Sequence, residues 1–165
     1  YLDAEWLNHE FTMIDTGGIE LDESDHILKS MRQQAEIAME EADAILFLVD
    51  GRAGLTTADE EVAKLLRGTK KPVILGVNKI DSTQLEVNAY EFYNLGLGDP
   101  IPLSASNAMN LGDLLDAIVA AFPAHDNESK DEDEIKKIQN YFEEETKNID
   151  LKRLKFKEKL WFYNN

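Results

Sequence analysis

PVILGVNKID, residues 72–81, is the stretch of the 165-residue sequence that decides the fold. Its apolar half, residues 72–77, predicts a buried strand of a parallel sheet. Asp81 follows Asn78 by three residues, at the carboxyl end of that strand, where open α/β sheets bind ligands. A carboxylate accepts two hydrogen bonds, and guanine offers an adjacent pair of donors, N1–H and N2–H, which adenine lacks. The alternative is a strand followed by an ordinary polar loop.

Two further motifs end strand-like runs in the same way. Asp15-Thr16-Gly17-Gly18 follows the run at residues 11–14, and Ser104-Ala105-Ser106 follows the run at residues 101–103. The carboxyl ends of parallel strands meet at one edge of a sheet. Three motifs in this order therefore favour a single ligand site at that edge.

These three motifs together resemble the DxxG, NKxD and SAx motifs of translation-factor-type GTPases. The phrases DTGGI at 15–19, FLVDGRAGLT at 47–56 and EFYNLGLG at 91–98 are similar to the first G domain of the bacterial double-G-domain GTPases called EngA or Der. The resemblance covers residues 1–123. EFYNLGLG argues against the alternative, a related ribosome- or tRNA-linked GTPase of the Era or TrmE kind.

The phosphate-loop pattern G-x-x-x-x-G-K-[ST] does not occur in the 165 residues. Such a loop supplies backbone N–H groups, a lysine and a Mg²⁺-binding hydroxyl to nucleotide phosphates. The resemblance places this loop and the switch I threonine upstream of Tyr1, so we expect a G domain without its N-terminal segment. The expected fold class is α/β: an incomplete P-loop GTPase-type (TRAFAC) doubly wound, mostly parallel sheet, with a linker and a short C-terminal tail.

The predicted organisation has three parts: a partial G domain at 1–123, an acidic linker at 124–134, and a tail at 135–165 that is helical at 135–145 and then extended. The first part is predicted to hold strands at 2–7, 10–14, 44–49, 72–77 and 101–103, and helices at 26–41, 57–67, 85–93 and 111–122. Asn8 and His9 are predicted to form a hairpin turn, and Thr57 to make a capping box with Glu60.

The missing first strand creates a folding problem. In G domains that strand lies between the strand ending at Asp15 and the strand ending at Asp50, so its absence leaves two apolar edges facing a gap. The run Lys159-Leu160-Trp161-Phe162-Tyr163 is β-prone and aromatic. We hypothesise that it partly covers the exposed surface.

Composition limits the classes of partner and compartment. The formal net charge of −16 opposes a direct nucleic-acid surface in this segment, because such surfaces need basic patches. The hydrophobic content of 43% excludes wholesale disorder. The sequence has no cysteine and no apolar stretch of the length that crosses a membrane. These features predict no membrane partner and a cytoplasmic protein.

The resemblance implies a guanine-base site built from two loops. Asp81 would hold the N1 and N2 edge of the base, Asn78 would brace the pocket and contact the base, and the stem of Lys79 would cover one face. The N–H of Ala105 would contact guanine O6. Ser104 would shape its loop, and Ser106 completes the nucleotide-binding set there.

The resemblance also implies that residues 15–18 bind the phosphates of the nucleotide. Asp15 would hold Mg²⁺ through water, and the N–H of Gly18 would meet the γ-phosphate, with Thr16 and Gly17 completing the nucleotide-binding set. Ile19 stands where many GTPases place a water-orienting glutamine, and an apolar side chain cannot orient water. The sequence therefore names no catalytic residue.

Asp50, at the end of another predicted strand, is predicted to close a turn with Gly51 rather than to bind a ligand. The acidic cluster of Asp22, Glu23 and Asp25 is predicted to be a solvated loop rather than a metal site.

Two hypotheses of function follow. The first is a GTP-binding protein of the EngA/Der type that hydrolyses GTP to GDP with Mg²⁺ and acts in assembly of the large ribosomal subunit, with its activity impaired in this chain. The second is an inactive G-domain fragment, at most an interaction module. The missing phosphate loop favours the second, and the motif set favours the first.

Overall fold

A computed structural model describes residues 1–15, 33, 36–123 and 158–164. Its strands are β1 (Leu2–Trp6), β2 (His9–Asp15), β3 (Ala44–Asp50), β4 (Val73–Asn78), β5 (Ile101–Pro102) and β6 (Glu158–Asn164). Its helices are α1 (Thr57–Leu66), α2 (Leu111–Ala121) and a 3₁₀ helix (Thr83–Leu95), and residues 36–41 are also helical. The predicted linker at 124–134 and the predicted helix at 135–145 lie outside the described residues.

The described strands form one six-stranded sheet in the order β1-β2-β6-β3-β4-β5. Strand β1 pairs with β2 antiparallel, and every other neighbouring pair is parallel. The continuous apolar sequence of β3, AILFLVD, suits a central parallel strand because both of its faces are buried. The α/β class with a mostly parallel sheet is thus confirmed.

Strand β6 fills the gap between β2 and β3. Trp161 stands opposite Ile14 of β2 on one side and opposite Ile45 of β3 on the other, in parallel register with both. The backbone of Lys159 also exchanges two hydrogen bonds of 2.8 Å with Asp43, one to its backbone N–H and one to its carboxylate. The hypothesis that this aromatic run covers the exposed edges is confirmed for the strand itself.

Each face of the sheet carries its own hydrophobic core. On one face, alternate β3 residues such as Phe47 pack with the 36–42 segment, α1 and the 3₁₀ helix. On the other face, Leu46 packs with α2 through Leu114 and its neighbours. Strand β6 serves both cores, because Trp161 belongs to the first and Leu160 to the second. Helices on both faces of a parallel sheet make the fold doubly wound.

Two local predictions are wrong by one residue. The hairpin turn consists of Leu7 and Asn8, which have φ of 48° and 66°, and His9 already pairs with Trp6 in the ladder. A two-residue turn with two positive φ values follows the twist of its strands, and asparagine tolerates such a φ.

The capping box of α1 uses Thr56 and Asp59 rather than Thr57 and Glu60. Adjacent threonines, each followed three residues later by an acid, left the sequence ambiguous.

The segment predicted as a helix at 85–93 is a 3₁₀ helix that is longer at both ends. It ends at Gly96, whose φ of 66° is left-handed. Its buried residues Ala89, Phe92 and Leu95 recur every three positions, which matches the three-residue turn of this helix. Of the helix predicted at 26–41, the structure describes residue 33 and residues 36–41 as helical, and the rest lies outside the described residues.

Candidate functional site

The candidate site lies where β3 and β4 end together. Asp50, the last residue of β3, stands opposite Asn78, the last residue of β4. The loops that follow these two strands, together with the loop after β5, converge at the carboxyl edge of the sheet. That edge is the position at which open α/β sheets bind ligands.

The amide of Asn78 links two of these loops. Its Oδ1 accepts hydrogen bonds from the N–H of Lys79 at 2.8 Å and from the N–H of Ala105 at 3.0 Å. Lys79 has φ of 66°, so the chain turns sharply directly after the strand. Asn78 thereby fixes the distance between the NKID loop, residues 78–81, and the Ser104 loop, residues 104–109.

The backbone reinforces this link. The N–H of Ile80 donates to the carbonyl of Leu103 at 2.9 Å, and the N–H of Leu103 donates to the carbonyl of Val77 at the same distance. Ser104 and Met109 exchange two further backbone hydrogen bonds, which close the loop after β5. The two loops are therefore one hydrogen-bonded unit.

Both carboxylate oxygens of Asp81 have partners. Oδ1 accepts a hydrogen bond of 2.7 Å from the hydroxyl of Ser104, a fully buried residue that also lies 3.3 Å from the Ser106 hydroxyl. Oδ2 accepts from the guanidinium Nη2 of Arg52. The Asp81 side chain keeps 23% of its surface exposed, so the carboxylate borders solvent.

The turn after β3 is the third loop of the site, beside the loops that follow β4 and β5. Asp50 Oδ1 accepts from the N–H groups of Arg52 and Ala53 at 2.9 and 3.1 Å, which closes the turn as predicted. Asp50 Oδ2 accepts from Lys79 Nζ at 2.5 Å, and this bond holds the pKa of the Asp50 carboxyl below its ordinary value of 3.8.

Gly51 allows the turn to lie directly against the NKID loop. Its N–H donates to the Asn78 carbonyl at 2.8 Å. A Cβ at this position would lie 2.6 Å from Ile80 Cδ1 and 2.9 Å from the Asn78 carbonyl oxygen. Any other residue would push the turn away from the loop.

The structure brings together six of the predicted site residues: Asn78, Lys79, Asp81, Ser104, Ala105 and Ser106. In the geometry observed, the Lys79 head group bonds Asp50, and the Ala105 N–H bonds Asn78. Their roles towards a base stay predictions.

Asp15 stands apart from this group. It ends β2, which is separated from β4 by β6 and β3. Three strand spacings amount to about 14 Å. The other predicted phosphate-end residues, Thr16, Gly17 and Gly18, lie outside the described residues, as do Ile19 and the cluster of Asp22, Glu23 and Asp25. Within the part of the chain that the structure describes, no three acidic or histidine side chains are grouped so that they could hold a metal ion.

Sequence reasoning missed Arg52 as a member of the site. Its signal was its position two residues after Asp50, in the loop that follows the strand next to β4. An arginine there lies within reach of a carboxylate in the neighbouring loop.

No helix among the described segments combines the length and the apolarity that crossing a membrane requires.

Comparison with known proteins supports the motif analysis. Residues 1–79 match the family model described as "50S ribosome-binding GTPase". GTPase Der of Clostridium perfringens (strain SM101 / Type A) is 62% identical over 130 residues, which are 78% of this chain and 30% of that protein. The GTPase Der proteins of Clostridium botulinum (strain Loch Maree / Type A3) and Clostridium novyi (strain NT) are 57% and 56% identical, over 82% and 84% of this chain. The chain spans about 30% of the length of these relatives.

Proposed function

Because the chain belongs to the EngA/Der GTPases and corresponds to a G-domain segment of them, we propose that it binds guanine nucleotides through the pocket formed by Asn78, Asp81 and the Ser104 loop. The observation that carries the proposal is the setting of the Asp81 carboxylate. A buried Ser104 hydroxyl holds one of its oxygens, and the side chain still faces solvent.

The chemistry of this carboxylate selects guanine. A carboxylate accepts hydrogen bonds and donates none, so it pairs with two N–H donors and repels a base edge that presents an acceptor. The Ser104 bond fixes the carboxylate plane, which gives the two oxygens defined directions. Sites built on such hydrogen bonds reject analogues that lack the donors far more strongly than apolar pockets reject a missing methylene.

The dimensions of the sheet suit a nucleotide that lies across it. With the base at Asp81, the phosphates would extend past β3 and β6 towards Asp15, about 14 Å away on strand spacing. Asp15 is the acidic residue that the family resemblance assigns to Mg²⁺, held through water.

Mg²⁺ usually binds through one or two carboxylates together with the phosphates of its substrate. The family resemblance therefore implies that Asp15, through water, and the phosphates of a bound nucleotide would hold Mg²⁺ together.

We propose a reaction and a partner only for full-length proteins that contain a segment like this one. They are hydrolysis of GTP to GDP and phosphate, and action on the large ribosomal subunit, as the matched family's description suggests. In such proteins the triphosphate orders the switch loops and hydrolysis releases them. Within this chain we propose base recognition alone, and name no catalytic residue.

The position of β6 favours a second candidate function. This strand, which the family resemblance does not cover, lies between β2 and β3 and pairs in parallel with both. A sheet completed in this way is a folded scaffold that could act as an interaction module without nucleotide hydrolysis.

Binding of fluorescent GDP and GTP to the purified chain with Mg²⁺ tests the proposal. We expect binding that unlabelled GDP displaces and ATP does not, and that the substitution Asp81→Asn weakens about ten- to a hundredfold. A folded chain that binds neither nucleotide would refute it and leave the interaction module as the remaining function.

A further inference from the structure

We propose that Arg52 is an affinity-setting residue of the base site: its guanidinium occupies the place on Asp81 that the guanine edge would take, so that base binding must displace it. This inference rests on the proposed function. It begins from the contact between Arg52 Nη2 and Asp81 Oδ2, made across two different loops.

The chemistry of the two groups is matched. The N1–C2–N2 edge of guanine is itself a guanidine fragment, with two N–H donors lying in one plane. An arginine guanidinium presents planar N–H donors of the same spacing and pairs with carboxylates in the same way. Since Ser104 already bonds Oδ1, Arg52 takes the remaining oxygen, Oδ2, which a base with one donor on each oxygen would need.

The surrounding turn holds Arg52 in position to compete. The N–H of Arg52 donates to Asp50 Oδ1, which closes the turn, and Lys79 Nζ donates to Asp50 Oδ2, which attaches the turn to the NKID loop. The close approach of Gly51 to Asn78 fixes the same turn from behind. The backbone of Arg52 is thus anchored, while its side chain is 62% exposed and can swing into solvent.

The size of the effect follows from this exposure. Exposed ion pairs contribute about 0–1 kcal/mol and are screened by salt. Displacing Arg52 should therefore weaken guanine binding by up to about fivefold, without preventing it. Arg52 should lower the affinity of the site for any base that must donate a hydrogen bond to Asp81 Oδ2.

The test uses guanosine, an uncharged probe, so that salt acts on the protein pair and not on the ligand. Calorimetric titration would compare the wild-type chain with Arg52→Gln at about 0.05 M and about 0.5 M NaCl. We expect Arg52→Gln to bind guanosine up to about fivefold more tightly at low salt. We also expect wild-type affinity to rise with salt towards that of the variant, whose own affinity stays constant.

Two further variants separate the pair from general charge effects. Lys70→Gln removes an exposed cation elsewhere and should leave both the affinity and its salt response unchanged. Arg52→Lys keeps the charge but has no planar pair of donors, and should lie between wild type and Arg52→Gln. Circular dichroism would verify that each variant is folded.

The outcomes distinguish the two proposals. If wild type binds guanosine and Arg52→Gln binds no more tightly, or responds to salt as wild type does, the role of Arg52 is refuted and the base site stands. If folded wild type and folded Arg52→Gln both fail to bind, the base site is refuted and the role of Arg52 with it. A shift of the Arg52 Nε–H resonance on addition of guanosine to the ¹⁵N-labelled chain would support displacement directly.

Discussion

Trp161 of β6 stands directly opposite Ile45 of β3 in the parallel register, and the two residues are 1% and 0% exposed. The pairing joins the C-terminal strand to the centre of the sheet. Removal of so large a side chain from a filled core leaves a cavity. We therefore expect Trp161→Ala to lower the free energy of unfolding by about 3–5 kcal/mol.

Urea unfolding followed by circular dichroism measures this loss. Val87→Ala, at a position that is 63% exposed on the 3₁₀ helix, is the control and should change stability by less than about 0.5 kcal/mol. Equal stability of Trp161→Ala and wild type would show that β6 does not occupy the sheet in solution.

Deletion of residues 159–165 should reduce solubility and thermal stability. The deletion uncovers the facing edges of β2 and β3, whose unpaired N–H and C=O groups invite association with other chains. The soluble fraction on expression and the melting temperature are the measurements.

A peptide of residues 158–165 provides the control for this deletion. Added to the truncated chain, it should restore part of the lost stability by inserting as a strand, whereas a scrambled peptide should not. A truncated chain that is as soluble and as stable as the full chain would contradict the prediction that β6 protects the sheet edges.

The sheet was predictable where burial dictates the sequence. Strands β3 and β4 are continuous apolar runs because neighbours cover both faces, and few other structures suit such runs. The insertion of β6 could be proposed from its β-prone aromatic composition and the need to cover two edges. The register of β6 could not be predicted from the sequence, since pairing between residues more than 100 positions apart depends on the whole assembled sheet.

The candidate site was predictable only in part, because some of its contacts are not local. Asn78 ends β4, and Asp81 and Ser104 lie shortly after β4 and β5, so the strand ends place them together. The partners Arg52 and Lys79 reach across loops with long, flexible side chains, so that their contacts follow from no periodicity.

Gly51→Ala should damage the site through its backbone. The added methyl group would meet the Asn78 carbonyl oxygen and Val77 Cγ1, and moving a backbone turn away from its strand costs about 1–3 kcal/mol. We expect lower stability in urea and weaker binding of GDP.

The matched control for this variant is Gly112→Ala in α2. There the nearest atom to a new Cβ is a carbon of Trp6 at 3.9 Å, and alanine favours helices over glycine by about 0.5–1 kcal/mol. Stabilisation by both substitutions would contradict the close packing of the Gly51 turn.

Tyr163 should make the fold sensitive to alkaline pH. Burial, and then the nearby Asp59 charge, raises the pKa of the Tyr163 phenol above its ordinary value of 10.0. The unfolded chain therefore ionises first as the pH passes 10. The contribution of Tyr163 to stability is complete below that pH and is lost as the pH rises through the folded-state pKa.

The urea concentration at the midpoint of unfolding, measured at about pH 8 and about pH 10.5, tests this dependence. Wild type should lose more stability between the two values than Tyr163→Phe, which has no phenol to ionise. The same loss in both proteins would indicate that Tyr163 titrates as it does in the unfolded chain.

Asp81→Asn should change which base is bound and not simply abolish binding. Xanthine has an oxygen at C2 where guanine has an amine, so its edge presents one donor and one acceptor. The amide introduced by Asp81→Asn offers one acceptor and one donor, which match that edge. We expect GDP affinity to fall about ten- to a hundredfold and xanthosine diphosphate affinity to rise, because hydrogen bonds to a charged group contribute about 1.5–3 kcal/mol.

Competition binding with the two diphosphates measures the exchange of preference. Asp113→Asn, at an exposed position in the first turn of α2, removes the same charge far from the loops and should preserve the preference for GDP. The exchange requires that the carboxylate itself reads the base edge. A variant that loses GDP without gaining xanthosine diphosphate, while remaining folded, would mean that Asp81 supports the loop through Ser104 and does not contact the base.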